Sequence, residues 1–314
     1  MRRCLVTGGA GFIGSHLTRE ALNRGYDVVV LDNLSSGRRE NLTEVINHVE
    51  LVEGDIRDRD LVGKLVRGTD LIFHEAALAE VPLCIENPVL SAQINDLGTL
   101  TVLEAAARAG VGRVVYASSS AVYGDSYPSP QHEGLPPVPD SPYAAHKLLG
   151  EHYGAIFGKL YGLEVASLRY FNVYGPRQDP ASPYSGVISC FFQKIRQGLP
   201  PVIYGDGGQC RDFIFVRDVV EANFLAAQSP EAPGNAFNIG TGHAITLLRT
   251  LEVMTKLVGR NISPLFAPPR AGDIHESRAE VSLARQKLGF SATSTFETGL
   301  ALTWKWFLDA EGNR

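Results

Sequence analysis

One stretch near the start of the chain limits its possible folds more than any other. Cys4-Leu5-Val6 is an apolar run that reads as a buried parallel strand. Thr7-Gly8-Gly9-Ala10-Gly11-Phe12-Ile13-Gly14 follows at once, and the next eight residues, Ser15 to Leu22, have helical spacing. Gly9, Gly11 and Gly14 satisfy the spacing Gly-x-Gly-x-x-Gly between a strand and a helix. Such glycines allow a tight turn, a close backbone approach to a pyrophosphate and close packing of helix on strand. The helix N-terminus then offers free N–H groups to phosphate. Gly8, Gly11, Phe12, Ile13 and Gly14 are therefore candidate phosphate-side residues. A second apolar run, Val28-Val29-Val30-Leu31, ends at Asp32, about twenty residues after the glycines, where a ribose-binding carboxylate belongs. An ordinary strand-to-helix turn with a surface aspartate explains either feature alone; together they point to a dinucleotide, and the acid at Asp32 favours NAD over NADP.

Further strand-like runs fall at Glu50-Leu51-Val52, Leu71-Ile72-Phe73, Arg113 to Tyr116 and Val165 to Leu168, alternating with helical patterns. This alternation implies an α/β fold, a doubly wound parallel sheet with ligands at the carboxyl ends of the strands. In order along that edge, Asn33, Ser36 and Gly37 follow the second strand, with Arg38 and Arg39 beyond them as loop or phosphate-facing charges. Asp55 and Ile56 follow the third, where Asp55 suits an adenine amine or a plain turn. His74 ends the fourth and reads as structural, while the small Ala76 and Ala77 let a cofactor lie close to backbone. The proline-rich loop from Pro128 to Pro142 reads as a surface connection.

With 314 residues the chain has room for one large domain or two closely joined ones. A net charge of −5 and the lack of a basic stripe argue against a nucleic-acid partner. No run is apolar enough to span a bilayer, and no signal peptide fits ahead of the first strand. Cys4, Cys84, Cys190 and Cys210 are scattered without metal-ligand spacing, which suits reduced thiols in the cytoplasm and no metal site.

Ser118-Ser119-Ser120 follows the fifth strand, where hydroxyls reach substrate or merely cap a turn. Tyr143-Ala144-Ala145-His146-Lys147 then follows Asp140-Ser141-Pro142, a helix start with cap and proline. Tyr143 and Lys147 are four apart and share a helix face. A nearby ammonium favours tyrosinate and is expected to lower the phenol pKa toward working pH. Beside a dinucleotide fingerprint and a serine run, this pair reads as an acid–base centre.

With these motifs, the chain resembles the extended short-chain dehydrogenase/reductases, and most closely their NAD-dependent nucleotide-sugar 4-epimerases. The resemblance covers essentially the whole chain and includes Leu168-Arg169-Tyr170-Phe171-Asn172-Val173-Tyr174-Gly175-Pro176-Arg177, Gly205-Asp206-Gly207, Arg211-Asp212-Phe213 and Asn238-Ile239-Gly240-Thr241-Gly242. It implies NAD contacts from Tyr143, Lys147 and Tyr170 besides the residues above. It implies catalysis by Tyr143, Lys147, Ser119 and Ser120. It implies that Asn172, Arg211, Arg270 and Asp273 hold the substrate's phosphates and ribose, that Val187 and Tyr204 cover its base, and that Ser277 leaves room for an N-acetyl group. It divides the chain into a Rossmann-type NAD-binding domain, 1–169 plus 211–240, and a smaller mixed α/β nucleotide-sugar domain, 170–210 plus 241–314. It also implies a homodimer paired through helices near Leu97–Ala109 and Tyr143–Tyr161.

Two departures bear on the reaction. Dehydratases of the family carry an Asp-Glu pair after the catalytic hydroxyl, and decarboxylases a Glu before Val-Tyr-Gly; here those positions read Ser120-Ala121. This favours epimerisation of a UDP-hexose (UDP-glucose, UDP-N-acetylglucosamine or UDP-glucuronate) over dehydration, decarboxylation or 4-ketoreduction. A non-catalytic NAD-sensing regulator is the reading from another class, and such proteins commonly lose the Tyr/Lys pair. Glu80 stands where the family usually has Ser and would put a carboxylate close to the sugar or into solvent.

Overall fold

The computed structural model describes residues 2–179, 186–269 and 275–312. Seven strands form one parallel sheet: β1 (Arg3–Thr7), β2 (Asp27–Asp32), β3 (Glu50–Glu53), β4 (Leu71–His74), β5 (Arg113–Ser119), β6 (Glu164–Tyr170) and a later strand, Ala236–Ile239. The spatial order is β3-β2-β1-β4-β5-β6 and then Ala236–Ile239, every pairing parallel. The order reverses between β1 and β4, which opens a crevice above the carboxyl ends of those two strands. Each apolar run named from sequence is a strand. Their continuous apolar character follows from burial on both faces: Leu5, Val6, Val29, Val30 and Ile72 are inaccessible to solvent.

Helices cover both faces. On one lies α1 (Phe12–Asn23), whose buried Leu17 and Ala21 pack with Val6, Val28 and Val30. On the other lie α2 (Arg59–Leu65) and, later in the chain, helices Gly98–Ala109 and Pro142–Tyr161, whose Val102, Leu103 and Phe157 pack against Leu5, Val29 and Val114. Between β4 and that second face run α3 (Val81–Glu86), α4 (Pro88–Ala92), a π-helical segment Gln93–Leu97, and then α5 (Gly98–Ala109). The long helix Pro142–Tyr161 is α6. Ser141 caps it, its hydroxyl oxygen accepting from Ala144 N at 3.3 Å, and Gly162 ends it in the left-handed conformation.

After β6 the chain builds smaller sheets. The next elements are β7 (Asn172–Tyr174), α7 (Val187–Arg196), β8 (Val202–Tyr204), β9 (Cys210–Phe215) and α8 (Val216–Gln228). The seventh sheet strand, Ala236–Ile239, is β10, followed by β11 (Ala244–Thr246), α9 (Leu247–Val258), β12 (Leu265–Ala267), β13 (Glu276–Ser277), α10 (Ser282–Leu288) and α11 (Phe296–Gly312). β9 pairs with β7, β11 and β13, and β8 pairs with β12. An aromatic cluster including Tyr174, Phe192, Phe213, Phe215 and Phe307 fills the space beneath. The proline-rich loop keeps its expected surface course and is pinned at one point: Gln131 is buried, Gln131 N donates to Arg278 O, and Glu280 N donates to Gln131 O. The loop lies as a strap along 278–280 because those backbone groups need partners.

Candidate active site

The glycine turn is built by backbone contact. Gly8 has φ +69°, and a Cβ there would lie 2.8 Å from Ala76 N. A Cβ on Gly14 would lie 2.1 Å from Gly8 O. Gly11 N donates to Gly8 O at 3.0 Å, and α1 begins with no side-chain cap. The N–H groups of its first turn are thus left for a ligand. Asp32 ends β2 just beside this turn. Its carboxylate accepts Ala10 N at 2.9 Å and Leu34 N at 2.8 Å, and a Cβ on Gly37 would collide with its oxygens at 2.6–2.7 Å. Burial raises the Asp32 carboxyl while those backbone donors oppose the rise. The cradle that no Cβ may enter, the uncapped helix start and the acid at the second strand fit a dinucleotide with free ribose hydroxyls.

The neighbouring charges are engaged within the protein. Arg38 pairs with Asp179 and Arg39 with Glu53. Asp55 accepts both Arg57 Nε at 2.9 Å and Arg57 Nη2 at 2.8 Å, and Asn33 Nδ2 at 3.1 Å. The Arg57 guanidinium holds the Asp55 carboxyl down at about 2. Ile56 is buried against Gly98, Ser36 is exposed and Gly37 is buried. His74 lies wholly inside: Nδ1 shares a hydrogen bond with Thr7 Oγ1 at 2.7 Å and Nε2 with Thr99 Oγ1 at 3.0 Å. Burial lowers its pKa to about 3, so it stays neutral and ties β1, β4 and α5 together. Thr7 Oγ1 also accepts Ala76 N at 3.3 Å, which sets Ala76 and Ala77 over the turn.

At the carboxyl end of β5, Ser118 donates to Glu151, which also accepts Arg169 Nε at 2.9 Å and Arg169 Nη2 at 2.7 Å. Glu151 stands four residues after Lys147, so this buried pair fixes α6 against β5 and β6. Ser119 and Ser120 then emerge half-buried at the strand end. The Ser119 hydroxyl sits close enough to the Tyr143 phenol to pull its pKa down. Lys147 is 4% exposed, and its Nζ donates to Ala117 O at 2.7 Å, 5.8 Å from the Tyr143 ring centroid. The expectation of a lowered phenol pKa is not met within the protein alone. Burial pushes Tyr143 up to about 12, the Ser119 hydroxyl pulls it down, and the acidic groups of Cys84 and Glu75 push it up again. The ammonium is turned to the Ala117 carbonyl, so desolvation wins.

Tyr170 is buried as well. Its hydroxyl donates to Glu75 Oε1 at 2.8 Å and accepts Asn223 Nδ2 at 2.9 Å. Among the expected substrate residues, Arg211 and Ser277 are register partners on β9 and β13, and Asn172 Nδ2 donates to Asp212 O at 3.4 Å. Val187 begins α7 and Tyr204 ends β8. Arg270 and Asp273 lie outside the described residues.

Sequence reasoning gave no role to four residues around this site. Glu75 accepts the Tyr170 hydroxyl at 2.8 Å; an acid at the end of an apolar strand was its only signal. Asn95 and Asp96, in the π-helical segment, grip two parts of the site. Asn95 accepts Leu78 N at 2.8 Å and donates to Leu78 O at 3.0 Å, and Asp96 pairs with His146 at 2.8 Å, one residue before Lys147. Asp212, inaccessible to solvent, accepts Thr241 N, Thr241 Oγ1, Gly242 N and Ala279 N. Among the described residues no group of three His, Cys, Asp or Glu could hold a metal ion.

Comparison with known proteins follows the same lines. The family model described as the NAD dependent epimerase/dehydratase family matches residues 4–240. A UDP-glucose 4-epimerase of Mycolicibacterium smegmatis is 42% identical over 309 residues, covering 97% of this chain and 98% of that protein. A UDP-N-acetylglucosamine 4-epimerase of Methanobrevibacter ruminantium, solved with UDP-N-acetylmuramic acid, superposes with a TM-score of 0.95 at 39% identity, covering 98% of this chain and 99% of that one. A UDP-glucose 4-epimerase of Thermus thermophilus, solved with NAD, gives a TM-score of 0.88 at 40% identity, covering 98% and 99%. On its fold, its glycine cradle and these similarities, the chain belongs to the NAD-dependent epimerase/dehydratase family.

Proposed function

We propose that this protein is an NAD-dependent 4-epimerase of a UDP-hexose. The observation that carries the reading is the convergence of Ser119 and Tyr143 with a buried Lys147 at the strand edge that also bears the glycine cradle, with Ser120-Ala121 in place of the acids other reactions need. Gly8, Gly11, Phe12, Ile13 and Gly14 hold the pyrophosphate of the cofactor, Asp32 its adenosine ribose, with Asn33, Ser36, Gly37, Asp55 and Ile56 around the adenosine and Ala76, Ala77 and Tyr170 at the other end. When bound, NAD supplies what the chain lacks, taking a hydride from C4 and returning it through a transient 4-keto sugar, and its positive ring favours the tyrosinate. Tyr143 Oη takes the proton of the C4 hydroxyl, directly or through Ser119, and returns it. Ser119 and Ser120 orient the sugar, and Lys147 holds the nicotinamide ribose. Asn172, Val187, Tyr204, Arg211 and Ser277 bind the nucleotide and sugar, together with Arg270 and Asp273. In this reading segments 170–210 and 241–314 form the nucleotide-sugar domain, and β9 belongs to both halves.

The test is product analysis with UDP-glucose, UDP-N-acetylglucosamine and UDP-glucuronate, each supplied without added cofactor. Conversion of one to its 4-epimer is expected. Tyr143→Phe should lose about a hundred- to ten-thousand-fold in turnover while keeping its fold and bound NAD. Net loss of water or carbon dioxide, or an active Tyr143→Phe protein, rejects the assignment.

The same reading makes the protein a cytoplasmic homodimer. No described helix is long and apolar enough to cross a membrane, and the four cysteines carry free thiols. A groove of about 770 Å³ runs between α5 and α6, lined by Leu97, Leu100, Phe157 and Tyr161 among others. Leu97, Ile156, Leu160 and Tyr161 around it are exposed, each by 46–63%. Apolar area of this kind on two adjacent helices suits a second copy. Light scattering should give twice the 34.0 kDa chain mass; a 34.0 kDa particle rejects the dimer.

A further inference from the structure

Just after β7 the chain makes a turn that is held in a strained form. Gly175, Pro176, Arg177 and Gln178 build it: Gln178 N donates to Gly175 O at 3.4 Å, and Arg177 takes φ +69°. Proline in the second place and a positive φ in the third are the marks of a type II turn, whose third place suits glycine. An arginine in that conformation persists only where its surroundings fix it.

Contacts on two sides fix this one. Toward β7 and α7, Gln178 Nε2 donates to Val173 O at 3.3 Å, and Gln178 Oε1 accepts Ser189 Oγ at 2.7 Å. Toward α1, His16 Nε2 donates to Pro176 O at 2.9 Å, and Arg177 Nη1 donates to Ser15 Oγ at 3.4 Å. Asp179 comes next, and its Oδ2 lies 2.5 Å from Arg38 Nη2. Arg38 stands on the loop after β2, beside Gly37, where a Cβ would collide with the Asp32 carboxylate. That loop is pinned to the glycine turn: Arg38 N donates to Ala10 O at 3.0 Å, and Asn41 Nδ2 donates to the same oxygen at 2.8 Å. Residues 176–179 therefore tie the early turns of α1 to the loop after β2. These are the two elements given above to the pyrophosphate and the adenosine ribose of NAD.

The proposed reaction gives such a bridge a task. The hydride taken from C4 has to return from the same cofactor molecule. A cofactor that leaves in its reduced form strands the sugar as the 4-ketone and leaves the protein without an oxidant.

We infer that the Arg38–Asp179 bridge is a clasp that slows the release of NAD, holding the loop after β2 to the turn at 176–179. The inference rests on the NAD-dependent reading above. Asp179 is a positioning residue, since it acts through Arg38.

The test is cofactor exchange. Holoenzyme carrying unlabelled NAD is mixed with excess isotope-labelled NAD, and label bound to protein is followed with time. Both side chains are partly exposed, by 44% and 34%, so Arg38→Gln, Asp179→Asn and the double variant leave the core intact. Equal denaturation midpoints check that. Breaking an exposed ion pair should speed exchange about two- to five-fold in either single variant. The double variant should exchange no faster than the singles. Raising salt to about 1 M should speed exchange in the unaltered protein and leave the double variant's rate in place. An unchanged rate in Asp179→Asn overturns the inference. So does an effect confined to Arg38→Gln, which means that the arginine touches the cofactor directly. Multiplied effects in the double variant also overturn it, because the two residues then act independently. Protein that purifies without NAD and takes up none fails the functional reading instead, so the two failures are separable.

Discussion

The glycine turn after β1 and the knot around Asp212 hold their shapes by opposite means. The turn is made by removing side chains: Gly8 and Gly14 bring backbone to backbone, and α1 starts without a side-chain cap. The knot is made by adding one. The Asp212 carboxylate, buried in β9, gathers the backbone N–H groups of Thr241, Gly242 and Ala279 from two distant segments. The consequence for ligands is direct. A turn shaped by the absence of side chains keeps N–H groups available, and a turn shaped by a carboxylate has already consumed them. The same distinction separates Asp32 from Asp212, although burial raises both carboxyls. Asp212 is saturated on every side, whereas Asp32 stands at the mouth of the cofactor crevice.

Two substitutions separate these designs. The larger effect is expected at Gly14→Ala, whose Cβ would meet only backbone: Gly8 O at 2.1 Å, Gly8 C at 2.8 Å and Gly9 Cα at 2.9 Å. Overlap with atoms that cannot swing aside costs about 3 kcal/mol or more. Chemical denaturation should show that loss, and the folded fraction should come off the column without NAD. Full NAD occupancy would mean the close approach is dispensable. The smaller effect is at Asp212→Asn, which turns an NH2 group toward donors at Gly242 and Ala279. That mismatch costs about 2 kcal/mol, and NAD per folded molecule should be unchanged. If cofactor content fell in step with stability, the two regions would not be independent.

Much of the cofactor half was legible in the sequence because its rules are local. The glycine spacing, the apolar strand runs and the four-residue interval from Tyr143 to Lys147 each fit within a few residues, and the strands and helices fall where those patterns place them. What escaped depends on partners far apart in the chain. Asp212 meets residues 29 and 67 positions away, and His74 meets Thr7 across 67. No periodicity announces such pairs. Arg38 and Arg39 also gave no sign of their partners, since Asp179 and Glu53 are 141 and 14 residues distant. The phenol of Tyr143 was misjudged for a related reason. Helical spacing set the separation of the two side chains correctly, but the direction of the Lys147 amine depends on the Ala117 carbonyl of a separate strand.

The π-helical segment Gln93–Leu97 joins these themes. Its wider winding turns consecutive residues toward two different clients: Asn95 to the loop at Leu78, Asp96 to the helix that carries Lys147. In effect it is one surplus residue stored within a helix. Removing any single residue there would restore ordinary winding at almost no loss of length and with little turn of the helix beyond it, so the change would fall on the segment's own side chains. The grip on Leu78 or the grip on His146 could then survive, but not both. The segment therefore behaves as a stored insertion, whose extra residue lets two neighbouring side chains serve two partners at once.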